Sequence, residues 1–276
     1  MWNFLCSLRA TLRFHDYKPQ RVTFAGTSRW IKQFPPQDRR TAGRLLEKVI
    51  YLSEARTRQI LVEQNAALMK RLTDAGLKTN QLIYVQVHDA GSSSPVMLNI
   101  LRDAAGLERR GCRFVDARDS IRLNKTTNAV GEGAIIYVDD FIGAGNQFCG
   151  ERDFIAQSIV GTFSEFLLVP SICEEAIYRI SERGVEAFAG HVHSKAERPL
   201  HANSTLLDRA SKERMTDVCK GISPRFGLGY KDLATMVVLY RNAPNTVPIV
   251  FRGNLNQKPF IGIFPRTTDL PIKKVG

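Results

Sequence analysis

Hydrophobic positions follow a helical rhythm up to about residue 76 and alternate between strand-like and helix-like runs beyond it. Ala42, Leu45, Leu46, Val49 and Ile50 recur at three- and four-residue intervals, which predicts one helix face. A second helix is predicted from Ser53, a good N-cap residue, to about Gly76, with Ile60, Leu61, Leu68 and Leu72 on its apolar side. The thirty-odd residues before these helices mix basic and aromatic positions without a period. Pro35-Pro36 closes them off by barring a continuous helix.

Beyond Gly76, Leu82 to Val87 reads as a strand, Asp89 to Pro95 as a loop, and Met97 to Leu101 as a helix. Cys112 to Val115 is a weaker strand. Ala134-Ile135-Ile136-Tyr137-Val138 is the strongest, apolar enough to be covered on both faces like a central parallel strand. Helices are expected from about Gln147 to Val160, over Glu174 to Glu182, and from Asn203 to about Lys220. Further strands are expected at Phe166 to Val169, Val185 to Phe188 and Met236 to Tyr240. Asn242 to Thr246 reads as a turn, Val247 to Phe251 as a short apolar run, and 267 to 276 as a tail. This alternation predicts an α/β fold, a mostly parallel central sheet flanked by helices. The expected division is an N-terminal helical region, 1–76, followed by an α/β domain, 77–276.

Composition changes this picture in two respects. Lysine and arginine outnumber aspartate and glutamate by 39 to 27, a formal net charge of +12. Such a balance favours polyanionic company: a phosphorylated small substrate, nucleic acid or an acidic protein. Arg40, Arg44 and Lys48 stand at i, i+4 and i+8 of the predicted helix, so they form a row that could face phosphates or simply be a solvated side. The five cysteines, Cys6, Cys112, Cys149, Cys173 and Cys219, lack C-x-x-C spacing and predict reduced, mostly buried thiols. Arg9 and Arg13 interrupt the apolar start, and no later run has the length of a membrane span, so a cytoplasmic protein is expected. His191 and His193 share one strand face, but no nearby ligand set completes a metal site in the sequence.

The most specific chemistry lies at the end of the strongest strand. Val138-Asp139-Asp140-Phe141-Ile142 leads into Gly143-Ala144-Gly145-Asn146-Gln147 and then a helix. Amides of a tight loop and of a helix start suit a phosphate, and carboxylates at a strand end accept hydrogen bonds from hydroxyls. Such a pairing fits a phosphorylated sugar. The earlier loop, with Asp89, Gly91, Ser92, Ser93 and Ser94, offers close backbone approach and hydroxyl donors for a second anion.

A hydrophobic strand, two acids, two further apolar residues and a small-residue loop resemble the signature of the type I phosphoribosyltransferases. The resemblance covers roughly residues 80 to 200. It implies that Asp139 and Asp140 hold the ribose of phosphoribosyl pyrophosphate. Gly143, Ala144, Gly145, Asn146 and Gln147 would hold its 5′-phosphate, and the loop with Asp89, Gly91, Ser92, Ser93 and Ser94 its pyrophosphate. Mg²⁺ would enter with that pyrophosphate. The chain departs from the family in having Gly143-Ala144-Gly145 where Thr-Thr-Gly is usual, so phosphate binding would lean on backbone amides and Asn146. Asp116, Arg118 and Asp119 fall where the family's flexible hood lies, with Arg122 and Lys125 in reach of a leaving pyrophosphate.

A narrower likeness joins Arg29 to Phe34, Val138 to Gln147, Gly229 to Asp232 and Asn242 to Pro248. It resembles the phosphoribosyltransferase-like effectors of bacterial conflict systems, including antiphage modules and some retrons. What it implies is a transferase-type effector acting at a ribosyl C1, or a non-catalytic nucleotide- or nucleic-acid-binding sensor or scaffold. Its partners would be phosphoribosyl pyrophosphate or a nucleotide, and a reverse transcriptase with its RNA and DNA. In the second case Arg40, Arg44 and Lys48 would be the nucleic-acid face. Oligomers are compatible with either.

Overall fold

The computed structural model describes residues 2–87, 93–253 and 259–266. In chain order the elements are α1 (Trp2–Arg13), α2 (Phe24–Lys32), α3 (Arg39–Lys48), β1 (Ile50–Leu52), α4 (Glu54–Asp74), β2 (Leu82–Gln86) and α5 (Ser93–Ala105). There follow β3 (Arg113–Asp116), α6 (Ser120–Val130), β4 (Glu132–Val138), β5 (Phe141–Ile142), α7 (Asn146–Ala156), β6 (Thr162–Cys173), α8 (Glu174–Ser181) and β7 (Val185–His193). The last are α9 (Arg209–Ile222), β8 (Val237–Leu239) and α10 (Ile249–Arg252). The contacts divide them into two compact units, Met1–Glu54 with His193–Gly276, and Ala55–Val192. The expected boundary after residue 76 coincides with neither crossing.

The unit built from the two ends of the chain centres on aromatic residues. Trp30, Phe34, Phe251 and Phe264 are almost completely buried. Trp30 stacks on Phe251 with ring centroids 5.6 Å apart and donates its indole N–H to the Val250 carbonyl at 2.7 Å. β1 and β8 form a two-stranded parallel sheet, Ile50 opposite Val237. The segments that begin at Gly229 and Asn242 lie against one another. Tyr230 N–H donates to Asn245 O at 2.9 Å, and a side chain at Gly229 would strike the Thr246 backbone at 2.2 Å. Beyond it Lys231, Asp232 and Ala234 all have positive φ, a conformation that non-glycine residues adopt rarely. α1 and α2 replace the aperiodic start expected from the pattern. Their periodicity is hidden because Phe4, Leu5, Leu8 and Leu12 of α1 are exposed rather than inward.

The unit of residues 55–192 carries the predicted α/β body. Its sheet runs β3-β2-β4-β6, with every neighbouring pair parallel; β5 pairs parallel with β6 in the register of β4, and β7 also pairs with β6. β2 and β4 are buried from Leu82 to Val85 and from Ala134 to Val138. Both faces are therefore covered, as their uninterrupted apolar runs require. One face packs Ile83, Val85, Ile135, Tyr137, Leu167 and Val169 into a core completed by Phe148, Ile155 and Ile180 from the flanking helices. Beneath the central strand, Tyr137 donates to Glu165 at 2.7 Å and Arg152 grips the same carboxylate with two nitrogens, through Nε at 2.8 Å. That burial beside a carboxylate pushes the Tyr137 phenol well above its ordinary range.

Candidate functional site

β6 is twelve residues long and serves two short partners in one register. β4 pairs with it up to Val138 opposite Leu168, and β5 resumes at Phe141 opposite Ser171. The gap is Asp139-Asp140, opposite Val169 and Pro170. Asp139 N–H still donates to Leu168 O at 3.1 Å. The next bond of a parallel ladder would run from the amide of residue 170 to the Asp139 carbonyl. Pro170 has no N–H, so the ladder stops there. The acids thus sit in a two-residue break at the C-terminal edge of a central strand, the edge where parallel α/β sheets receive ligands.

Asp139 is buried and Asp140 half-buried. The Asp139 carboxylate accepts the Asp140 N–H at 2.8 Å, which turns the chain at the break. After β5, Gly143 and Ala144 lead to Gly145, which has φ 79° and ψ −12° and stands as the N-cap of α7. This left-handed conformation favours glycine, and a Cβ there would lie 3.3 Å from the Cβ of buried Ala176. Gly145 offers no side chain to cap α7, so the amides of the first turn face the loop. Asn146 opens that turn. Gln147 is exposed and donates to Glu151 at 3.3 Å.

A cation that the pattern did not reveal completes the loop. Arg179 of α8 donates from its guanidinium to the Asn146 side-chain oxygen, and its Cδ is 3.4 Å from where a Gly145 Cβ would be. Its own carbonyl accepts the Cys149 thiol, whose pKa burial raises. Residues 143–145 of the loop carry no hydroxyl side chain, but a guanidinium lies beside it. Nothing in the local sequence signals this, because Arg179 lies 33 residues from its partner.

Of the serine loop, Asp89, Gly91 and Ser92 lie outside the described residues, and Ser93 opens α5. Ser94 is fully buried. Its hydroxyl donates to Val138 O at 2.7 Å and accepts from Val87 N–H at 3.0 Å. It therefore ties the end of β2 to the end of β4, immediately before the acids, and in this arrangement its proton is already committed. Along the same edge, Gln86 approaches Asp116, whose carboxylate binds Arg118 through Nε at 2.9 Å. That guanidinium holds the Asp116 carboxyl below its ordinary range. Arg122 and Lys125, expected beside a flexible hood, lie on the helix α6. Asp119 caps it by accepting Arg122 N–H at 2.9 Å, and Gly131 ends it with φ 74°.

Arg40, Arg44 and Lys48 lie exposed on α3 in the other unit, opposite a buried face of Ala42, Leu45 and Leu46. None of the three has an ionic partner among the described residues. His193 is buried, and its Nε2 accepts Met236 N–H at 3.0 Å, so Nδ1 carries the proton of the neutral ring and faces Glu197 at 3.7 Å. All five cysteines are buried and outside any disulfide. No helix among the described residues is long and apolar enough to cross a membrane.

The class that this architecture defines is an α/β protein with a mostly parallel central sheet, whose central strand ends in an acidic pair followed by a glycine turn and a helix start. Among solved structures, an orotate phosphoribosyltransferase from Aeropyrum pernix is 13% identical and aligns over 49% of this chain and 68% of its own, with a TM-score of 0.33. The AQ2163 protein from Aquifex aeolicus is likewise 13% identical, over 58% of this chain and 86% of its own, with a TM-score of 0.35. No curated protein matches. The PRTase-CE family model matches residues 27–266. The chain belongs to the PRTase-CE family.

Proposed function

We propose that the loop from Asp139 to Gln147 binds the ribose and 5′-phosphate of a phosphoribosyl or nucleotide ligand, and that the protein transfers or cleaves at the ribosyl C1 with loss of pyrophosphate. The observation that carries this reading is the break in the ladder, which sets two acidic residues at the sheet edge beside a glycine turn and a helix start. Asp139 and Asp140 accept hydrogen bonds from the ribose hydroxyls. The amides of 143–147 and the Arg179 guanidinium hold the phosphate, in place of the family's hydroxyls. The C1–oxygen bond breaks with its electron pair leaving on the pyrophosphate, and the acceptor's lone pair closes on the oxocarbenium-like carbon. No protein nucleophile is required.

The oxygen donors Asp139 and Asp140 suit Mg²⁺, which prefers carboxylates and retained waters. When bound, the ion would neutralise the departing pyrophosphate. The resemblance of 29–34, 138–147, 229–232 and 242–248 to conflict-system effectors is what supports placing this activity in an effector of a bacterial antiphage system, with a reverse transcriptase and its RNA and DNA as partners. Titration calorimetry with phosphoribosyl pyrophosphate and Mg²⁺ tests the site. Binding is expected for the wild type and lost in the Asp139→Asn, Asp140→Asn variant, with the thermal transition of the variant retained. Equal binding by both proteins would remove the assignment.

A second reading, a nucleotide- or nucleic-acid-binding scaffold without catalysis, is favoured by the exposed Arg40, Arg44, Lys48 row. In that case neutralising the row abolishes function and neutralising the acids does not.

A further inference from the structure

The outer edge of the 55–192 sheet carries a feature that the acidic loop does not use. β3 is the edge strand, and α6 packs beside it. An open cleft of ≈ 420 Å³ is lined by Arg113, Asp119, Ile121, Arg122, Lys125 and Thr126 together with Ala129. Positions 121, 122, 125, 126 and 129 fall on one face of the helix, so the cleft extends along α6 for two turns, about 12 Å.

Its charge is unbalanced. Arg113, Arg122 and Lys125 are exposed, and none has an ion pair among the described residues. Arg113 is nevertheless oriented, because its Nε donates to Asn80 O at 2.9 Å. The lone acid, Asp119, is engaged with the Arg122 amide at 2.9 Å. Some surface arginines of this unit are paired, while others, such as Arg58, Arg109 and Arg110, carry no ion pair among the described residues. Arg71, Arg102, Arg118 and Arg183 are each matched to a carboxylate. What sets the cleft apart is that three such cations line one groove whose single acid is already engaged, which leaves a place for negative charge supplied from outside.

The lining also limits what supplies it. No aromatic ring and no amide side chain is present to stack on or read a base, and the wall between the cations is aliphatic, with Ile121 68% exposed. A small nucleotide would find no base platform here. A groove open to solvent, with cations spaced along a helix, matches a chain of phosphates contacted only through its backbone. We propose that the β3–α6 cleft binds the phosphodiester backbone of a single nucleic-acid strand without regard to sequence.

Fluorescence anisotropy of the full chain with a labelled fifteen-nucleotide oligothymidylate tests this across a salt series. Arg122→Gln with Lys125→Gln is compared with Lys220→Gln plus Arg225→Gln, exposed positions of the other unit that remove the same net charge. The cleft variant is expected to bind at least tenfold more weakly. Its slope of log K against log salt should fall by about 1.4, two phosphate contacts at roughly 0.7 each for a single strand. The control should stay within about twofold of wild type. Equal losses in the two variants, or none in either, would overturn the proposal. So would displacement of the oligonucleotide by inorganic tripolyphosphate at equal phosphate concentration, which would make the ligand a short polyphosphate.

Discussion

Two glycines at one helix should respond to the same substitution with opposite signs. Gly145, the N-cap of α7, has φ 79°, and an alanine there would carry its Cβ within 3.3 Å of Ala176 and 3.4 Å of the Arg179 side chain. The left-handed backbone costs a non-glycine residue about 1–2 kcal/mol. Crowding against a buried neighbour adds about 1 kcal/mol. Gly145→Ala should therefore destabilise by roughly 2–3 kcal/mol, a fall in Tm of roughly 4–5 °C for a chain of this size. Gly150 lies inside α7, and a Cβ there would meet no atom within 4 Å. Gly150→Ala should instead stabilise by about 0.5–1 kcal/mol, through helix propensity alone. Urea unfolding of both variants, fitted with a common m-value, measures the difference. A loss below about 0.5 kcal/mol at Gly145, or a loss at Gly150, would refute the conformation assigned to the loop.

Other outcomes are expected from the same chain. Arg179→Gln should weaken phosphoribosyl pyrophosphate binding about tenfold, the scale of a charge-assisted hydrogen bond, with unfolding little changed because the side chain is exposed; calorimetry reads the first and urea the second. Glu165→Ala should destabilise by about 3 kcal/mol in urea, since it strands Arg152 and the Tyr137 hydroxyl beneath the central strand. The Asp116 carboxyl is held below its unfolded value by Arg118, so its stabilisation is present above the unfolded pKa and disappears as pH falls through the folded one. Arg118→Gln should accordingly flatten the acid limb of the stability curve. Cys219, fully buried with its pKa pushed up to about 12, should resist a thiol reagent until the protein unfolds.

How far the sequence anticipates this structure depends on the range of the forces involved. β2 and β4 are legible because strands covered on both faces need continuous apolar runs, and the acids are legible because they follow such a run directly. β5 is only two residues long and is fixed by the register of β6, which no local pattern records. α6 turns only Leu123 and Thr127 fully inward while Ile121 is exposed, so its period is weak and its caps define it. The expected boundary at residue 76 follows a change of texture. The observed units join segments distant in sequence, such as Trp30 with Val250 and Phe251, through aromatic contacts that periodicity cannot show. Arg179 is hidden for the same reason.

The ladder break has a mechanical consequence. One strand grips the chain on both sides of Asp139-Asp140, at Leu168 before them and at Ser171 after them. The carboxylates are thus mounted like a short span between two fixed piers, and most of the entropy of ordering them is spent when the sheet forms rather than when a ligand arrives. On the proposed reading, adjustment to a ligand would come from beyond Ile142, in the glycine turn, so that recognition would divide into a rigid half that sets position and a pliant half that closes on charge.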